Sequence, residues 1–263
     1  VDGTKYRLVI DVDSGRQVGR VVPPRGEAVL AQSANGSRLA TRNPNPFVRN
    51  TFTVWDLTSG EPREIKKKSE YAPDKGVFTR DGKYLAVLYS SHGRIRLIDG
   101  STGATIQEHS HDDCSMDLVS FSPDGTWLAA AGTHDRTLML FDTSSGKEMK
   151  PTFTLKLDER ISCIEFDVAS RFLAIGGRRG VTFLDVESGD QTTLDSGEVD
   201  DIAFSPDGNR LATLKFSFST ARDGNIKIWD VNTLLTPPDS SSEPYPLLIL
   251  PAHRPRANVQ CLE

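Results

Sequence analysis

The stretch from Leu118 to Gly146, LVSFSPDGTWLAAAGTHDRTLMLFDTSSG, contains three short apolar runs separated by two turns. The first turn, residues 122–125 (SPDG), suits a tight reversal because proline fixes φ and the Asp-Gly pair tolerates a left-handed residue. The second turn covers residues 132–136, and the third run ends at Asp142 ahead of a polar turn. This pattern predicts three antiparallel strands that follow one another as a meander.

The same unit recurs along the whole chain. An apolar residue followed by aspartate ends a predicted strand six times, at spacings of 45, 43, 43, 43 and 45 residues. These aspartates are Asp11, Asp56, Asp99, Asp142, Asp185 and Asp230. A period of about 40–45 residues with four strand signals is typical of a propeller blade. The sequence therefore predicts an all-β fold built from repeated four-stranded antiparallel blades.

Two features of the repeat are specific enough to suggest a family. The dipeptides Trp55-Asp56 and Trp229-Asp230, and the FSPDG turns at residues 121–125 and 204–208, resemble the WD-repeat family of β-propellers. The resemblance covers the whole chain and implies that the blades are arranged in a ring. A fold of this kind serves many unrelated tasks, so the resemblance is specific for structure and much less so for function.

The repeat also predicts where the blades begin and end. The chain opens with a third and a fourth strand, continues with five complete blades, and closes with one first strand at residues 259–263. We therefore expect residues 1–263 to form a single propeller domain that is incomplete at both termini. By resemblance, we expect the intact ring to have seven blades. Two long connections, residues 43–50 and 214–220, interrupt the otherwise regular repeat.

The charge, the apolar runs and the cysteine count of the chain disfavour several classes of function. The chain has 31 basic and 36 acidic residues, which gives a net charge of −5 and disfavours a dedicated nucleic-acid surface. Its apolar runs are far shorter than the ~20 residues of a membrane span. Three widely spaced cysteines predict neither a disulfide framework nor a metal site, and they fit a reducing, cytoplasmic environment. The basic run of residues 66–68 falls on an outer strand, where lysines commonly protect a sheet edge.

The family resemblance also implies a structural staple within each regular blade. Its members are a histidine before the first strand, a serine or threonine on the second, an aspartate in the turn before the third, and the tryptophan. In the unit quoted above, Phe141 replaces that tryptophan; in the last complete blade, Ala221 and Asp195 replace the hydroxyl residue and the histidine. The staple residues that the resemblance assigns are His111, Thr133, Asp135, Asp223 and Trp229.

The same residues could be mistaken for a catalytic triad. Catalysis requires a nucleophile aligned with its base and with an oxyanion donor, and the resemblance explains His111, Thr133 and Asp135 as structural instead. The cluster at residues 109–114 has a spacing that suits no regular zinc pattern. The chain has neither a P-loop nor a GxGxxG motif. We therefore predict a protein without catalytic residues, cofactor or metal.

Loops are the remaining candidates for a functional site. The loops between second and third strands, and those that lead into first strands, gather on one face, which by resemblance is the usual partner-binding face. An ordinary solvated loop tip is the alternative for each single residue. The candidates on this face are Phe47, Asp117, His134, Arg160, Arg178, Asp200, Phe218 and Arg222.

These observations predict a non-enzymatic interaction scaffold that binds other proteins or peptides. Membrane contact, nucleic acid and small-molecule substrates are disfavoured. One alternative is the sensing or autoinhibitory propeller of a larger signalling protein, such as an ATPase or a kinase fusion. An alternative of a different class is a propeller hydrolase or lyase with a site at the channel mouth, which would need carboxylates or histidines from several blades.

Overall fold

The computed structural model describes ten segments of the chain, and these fall into two compact units, residues 1–157 and 158–263. Each unit is considered by itself. Regular structure in the described residues comprises one two-stranded and five four-stranded antiparallel sheets. The described segments are residues 7–10, 17–21, 27–42, 51–58, 63–68, 71–111, 115–144, 149–216, 224–235 and 244–251.

The first unit contains the two-stranded sheet and three complete blades. The sheet pairs β1 (Arg7–Ile10) with β2 (Gln17–Val21). Blade 1 comprises β3 (Ala28–Gln32), β4 (Arg38–Arg42), β5 (Thr51–Asp56) and β6 (Arg63–Lys68). Blade 2 comprises β7 (Lys75–Phe78), β8 (Tyr84–Tyr89), β9 (Arg94–Asp99) and β10 (Thr105–Ser110). Blade 3 comprises β11 (Leu118–Phe121), β12 (Trp127–Gly132), β13 (Thr137–Asp142) and β14 (Pro151–Lys156).

The second unit contains two complete blades. Blade 4 comprises β15 (Ile161–Phe166), β16 (Phe172–Gly177), β17 (Val181–Asp185) and β18 (Gln191–Leu194). Blade 5 comprises β19 (Asp201–Phe204), β20 (Arg210–Lys215), β21 (Asn225–Asp230) and β22 (Leu248–Pro251). A short helix, α1 (Val231–Leu235), lies between β21 and β22 and buries Val231 and Leu234. Strands pair in chain order within every blade, so each blade is a meander.

Burial explains why the strands of one blade differ in composition. The second strands β8, β12 and β16 are continuous apolar runs, and nearly all of their residues are buried. Such runs suit strands covered on both faces. The outer strand β14 instead alternates half-buried and exposed residues, as expected where one face meets solvent. In each unit, the core clusters combine side chains from neighbouring blades, so each blade covers the apolar face of the next.

The first turn is held by the same local hydrogen bonds in blades 1, 2, 3 and 5. In blade 3, the Ser122 hydroxyl donates to Asp124 (2.6 Å) and accepts from the Trp127 amide (2.9 Å). Gly125 follows with φ of +74°, a conformation that strains any residue with a Cβ atom. In blade 4, which lacks the motif, the Asp167 carboxylate accepts directly from the amides of Arg171 and Phe172. The lost motif is therefore replaced by an equivalent turn.

The recurring aspartate at the end of each third strand has a local role too. In all five blades, one of its carboxylate oxygens accepts the amide of the residue two positions later. Asp99 is the clearest case, because hydrogen bonds from Ser101, first from its hydroxyl, lower the pKa of that carboxyl to about 2. In the five blades, the recurring Asp of the sequence thus marks an Asx turn that follows the third strand.

The predicted all-β architecture of four-stranded blades is confirmed, including the five complete blades and the paired third and fourth strands at the start. The final strand predicted at residues 259–263 lies outside the described residues, as does the connection at residues 43–50. A single domain over residues 1–263 and a seven-bladed ring remain predictions. Among the described residues, no helix is long and apolar enough to cross a membrane.

Candidate functional site

The predicted partner-binding loops lie at one end of the blades, which we call the loop end. It is formed by the connections between second and third strands and by the residues that precede each first strand. In blade 3 these two segments are tied together by Asp117. Its carboxylate accepts from the Thr133 amide (2.9 Å) and hydroxyl (2.5 Å), and its own amide donates to the Ala131 carbonyl (2.9 Å).

The same tie, which we call the acid clamp, recurs in two other blades. In blade 2, Asp74 accepts from the Ser90 amide (2.7 Å), and in blade 5, Asp200 accepts from the Phe216 amide (2.6 Å). Each of these aspartates stands immediately before a first strand. The carboxylates of Asp117 and Asp200, which sequence analysis placed among partner-binding groups, are therefore already bonded to their own loops. Removing such an acceptor would leave a buried or half-buried amide without a hydrogen bond and would lower the free energy of unfolding.

Blade 4 departs from this arrangement. The residue before its first strand is Arg160, and the acid is supplied one residue earlier by Glu159, whose Oε2 accepts from the Arg179 amide (2.9 Å). Ile161 and Gly177 form the last pair between β15 and β16, and Arg160 and Arg178 are the residues next to that pair on the two segments. Both arginines are exposed. The loop end of blade 4 thus combines an acid clamp with two cations that flank its last strand pair.

The predicted staple of blade 3 is not assembled as expected. Asp135 accepts from the Ser115 amide (2.6 Å) rather than from His111. The His111 amide donates to the Gly93 carbonyl (2.9 Å), and its buried Nδ1 has no hydrogen-bond partner among the described residues. Thr133 is committed to Asp117 and lies 3.0 Å from the ring nitrogen of His134. The reason is geometric. Thr133 lies in the loop beyond the second strand, where its hydroxyl donates to Asp117 of the acid clamp.

A tryptophan staple does exist in the two blades whose third strand carries a tryptophan. The Trp55 indole N–H donates to the Thr41 hydroxyl (2.9 Å), which donates to Glu27 (2.5 Å). Likewise, the Trp229 indole donates to the Thr213 hydroxyl (3.0 Å). Sequence analysis missed both threonines. The signal was a Leu-Ala-Thr triplet on the second strand of each of these two blades. In the blades without a tryptophan on the third strand, the third position of the triplet is Val87, Ala130 or Ile175.

The other sequence candidates divide into two groups. His134 is exposed at the loop end of blade 3. Four candidates lie outside the described residues: Phe47, Phe218, Arg222 and Asp223. Within the described part, no group of three or more histidine, cysteine, aspartate or glutamate side chains is placed to hold a metal ion.

Sequence comparison finds known repeats in two parts of the chain. The model of the WD domain, G-beta repeat, matches residues 100–142 and 190–230. The WD repeat-containing protein 1 of Gallus gallus is 28% identical over 201 residues, which cover 70% of this chain and 30% of that protein. The Mus musculus protein of the same name is 28% identical over 202 residues, covering 70% and 31%. The chain thus spans about a third of the length of these curated relatives, and the predicted resemblance to WD-repeat proteins is confirmed.

Proposed function

We propose that this chain, which carries WD repeats, is a non-enzymatic scaffold that binds protein or peptide partners through the loop end of its blades. WD-repeat proteins in general act as interaction scaffolds rather than enzymes. The binding surface at the loop end and the residues on it are the specific parts of the proposal.

The observation that carries the proposal is the contrast between the two ends of the blades. The end opposite the loop end is made of the first turns and the Asx turns, and their hydrogen bonds repeat from blade to blade. Folding of a repeated blade accounts for hydrogen bonds that are the same from one blade to the next. At the loop end, the exposed side chains beyond the acid clamp change from blade to blade, which folding does not require. Variable side chains on a uniform rigid frame are a common design of binding surfaces.

Blade 2 offers an aromatic anchor on this surface. The rings of Tyr71 and His92 stack with centroids 3.5 Å apart, and the Arg94 guanidinium lies 5.3 Å from the Tyr71 ring centroid. Arg94 is in turn held by Glu108 (3.1 Å). Aromatic residues and arginine are enriched among the few residues that dominate protein interfaces. Phe47 and Phe218, which sequence analysis named as candidates on this face, lie outside the described residues and remain predictions.

The proposal can be tested by site-specific crosslinking in native lysate. A photoreactive amino acid would be placed at His92, His134 or Arg178 on the loop end, and at Ser101 or Asn209 on the opposite end; these control positions are exposed as well. We expect crosslinked partners from the loop-end positions only. Equal capture from both ends, or capture from Ser101 and Asn209 alone, would overturn the assignment of the binding surface.

A further inference from the structure

We propose that Arg160 and Arg178 of blade 4 form an anchor for an oxyanion-bearing segment of a partner, namely an acidic or phosphorylated peptide. The inference rests on the proposed function, because it assigns the partner's chemistry to one place on the loop end.

The first argument is the departure of blade 4 from the other blades. The position before the first strand is aspartate in blades 2, 3 and 5 and arginine in blade 4. That arginine and Arg178 flank the last pair between β15 and β16. Glu159 already accepts the Arg179 amide, so the loop needs no acid at position 160. A ligand explains why two exposed cations stand at this place instead.

The second argument is that this cation pair is not neutralised within the protein. Arg38, Arg94 and Arg171 each pair with a carboxylate. Among the described residues, by contrast, neither Arg160 nor Arg178 has an ion-pair or hydrogen-bond partner for its guanidinium. Guanidinium groups bind carboxylate and phosphate through two parallel hydrogen bonds. Two exposed guanidinium groups that flank one strand pair can therefore hold one phosphate or two neighbouring carboxylates.

The third argument is that the backbone carrying Arg178 is already fixed. The Gly177 amide donates to the Gly180 carbonyl (2.9 Å), and the Gly197 amide donates to the Arg179 carbonyl (3.1 Å). Gly180 packs so closely that a Cβ atom there would lie 1.9 Å from the Leu194 carbonyl oxygen. Binding would consequently order only the arginine side chains, and a rigid frame of this kind lowers the entropic cost of association.

The surroundings favour a short anionic peptide over nucleic acid. Asp195 and Glu198 are exposed in the loop that precedes β19, and Asp200 completes the acid clamp there. The whole chain carries a net charge of −5. A continuous polyanion gains affinity from many basic contacts along its backbone. Two cations bordered by carboxylates match one or two oxyanion groups much better.

The test uses the whole chain and measures binding by fluorescence anisotropy at low ionic strength. The probes are four: a peptide of alternating Glu and Gly, one of alternating phosphoserine and Gly, one of alternating Ser and Gly, and single-stranded oligo-dT. We expect the wild type to bind one or both oxyanion peptides more tightly than the Ser-Gly peptide. The two oxyanion peptides decide between a carboxylate-rich and a phosphorylated partner.

Matched variants distinguish binding at a specific site from a general effect of the protein's net charge. Arg160→Gln/Arg178→Gln should weaken oxyanion-peptide binding by about tenfold or more, as expected for the loss of a bidentate charged contact. Arg160→Lys/Arg178→Lys should fall in between, because it keeps the charge and loses the planar fork. Arg80→Gln/Arg210→Gln makes the same charge change at exposed positions of the opposite end and should bind as the wild type.

Three results would overturn the inference. They are equal binding of charged and neutral peptides by the wild type, equal loss in the two Gln variants, and tight binding of oligo-dT alone. Circular dichroism melts should show the Arg160→Gln/Arg178→Gln variant about as stable as the wild type, because both side chains are exposed and their guanidinium groups have no partner among the described residues. Crosslinking at His92 and His134 reports independently of the arginines, so the scaffold proposal can stand where the oxyanion anchor fails.

Discussion

At the residue scale, the pairing of tryptophan with threonine recurs in blades 1 and 5. Trp55 and Trp229 each donate to a threonine on the second strand, whereas the other blades have an apolar residue at both positions. We expect Thr41→Val to lower the free energy of unfolding by about 1–3 kcal/mol, because the buried indole N–H loses its acceptor. Equilibrium denaturant unfolding would measure this loss.

The double variant Thr41→Val/Trp55→Phe provides the control for that prediction. It makes blade 1 resemble blade 3, in which Phe141 accompanies Ala130. We expect the double variant to lose less stability than the sum of the two single variants, because no donor is left without an acceptor. Additive losses would show that the indole hydrogen bond contributes little.

A second residue-scale prediction concerns the pH dependence of stability. Burial raises the pKa of Glu165 to about 7, from a reference of 4.5, although its Oε1 accepts the Phe204 amide (3.4 Å). The folded state therefore holds this proton more tightly than the unfolded state does. The resulting stabilisation is fully present below pH 4.5 and is lost as pH rises through about 7.

Glu165→Gln isolates this effect, since glutamine stays neutral and can still accept from the Phe204 amide. At pH 8 we expect the free energy of unfolding of the variant to exceed that of the wild type by about 1–2 kcal/mol. At a pH below the reference pKa we expect the two to be nearly equal. Denaturant unfolding at the two pH values measures the difference. Glu187→Gln, at an exposed position, should show no such pH dependence. A gain that is the same at both pH values would contradict the proposed titration.

At the element scale, periodicity predicted the strands well because it reflects burial directly. The first turns and the strand-ending aspartates were also predictable, since their chemistry is local to a few residues. The turn of blade 4 was not, because Asp167 moves the acceptor to the start of the turn. The staple of blade 3 was misplaced because spacing alone does not say whether Thr133 lies on the strand or in the loop. Strand register decides that, and it shows Thr133 beyond the last pair of β12.

The acid clamp was missed for a related reason, as an aspartate before a strand looks like any solvated loop tip. We expect Asp117→Ala to lower the free energy of unfolding by about 1–3 kcal/mol, because it removes the acceptor of both the Thr133 amide and the Thr133 hydroxyl. Hydrogen exchange at the Thr133 amide should accelerate together with that loss. Asp195→Ala, at an exposed position, is the control and should cost little. An unchanged Thr133 exchange rate would contradict the clamp.

At the scale of the whole molecule, the repeat predicted the number of complete blades and their strand order. It could not predict the binding partner, because the loop-end side chains that would select one are those that the repeat leaves free to vary. The two arginines of blade 4 illustrate this limit. Arg160 and Arg178 were recognisable from sequence as loop residues, but only the pairing of Ile161 with Gly177 shows that they flank the same strand pair.

One outer strand sets an expectation for how the molecule behaves in solution. Within the described residues, β22 pairs with β21 alone, and it follows Leu247 with Leu248, Ile249 and Leu250, all of them 44–59% exposed. An apolar strand at a sheet edge is a template for self-association. We expect Ile249→Glu to reduce light scattering at high protein concentration, because it places a charge on the edge opposite Lys227.

Ile106→Glu is the matched control. Ile106 is 43% exposed on the outer strand β10, where its neighbours Thr105 and Gln107 are polar. Its replacement should therefore change scattering little. Suppression of scattering by Ile106→Glu and not by Ile249→Glu would show that β22 is not the associating edge.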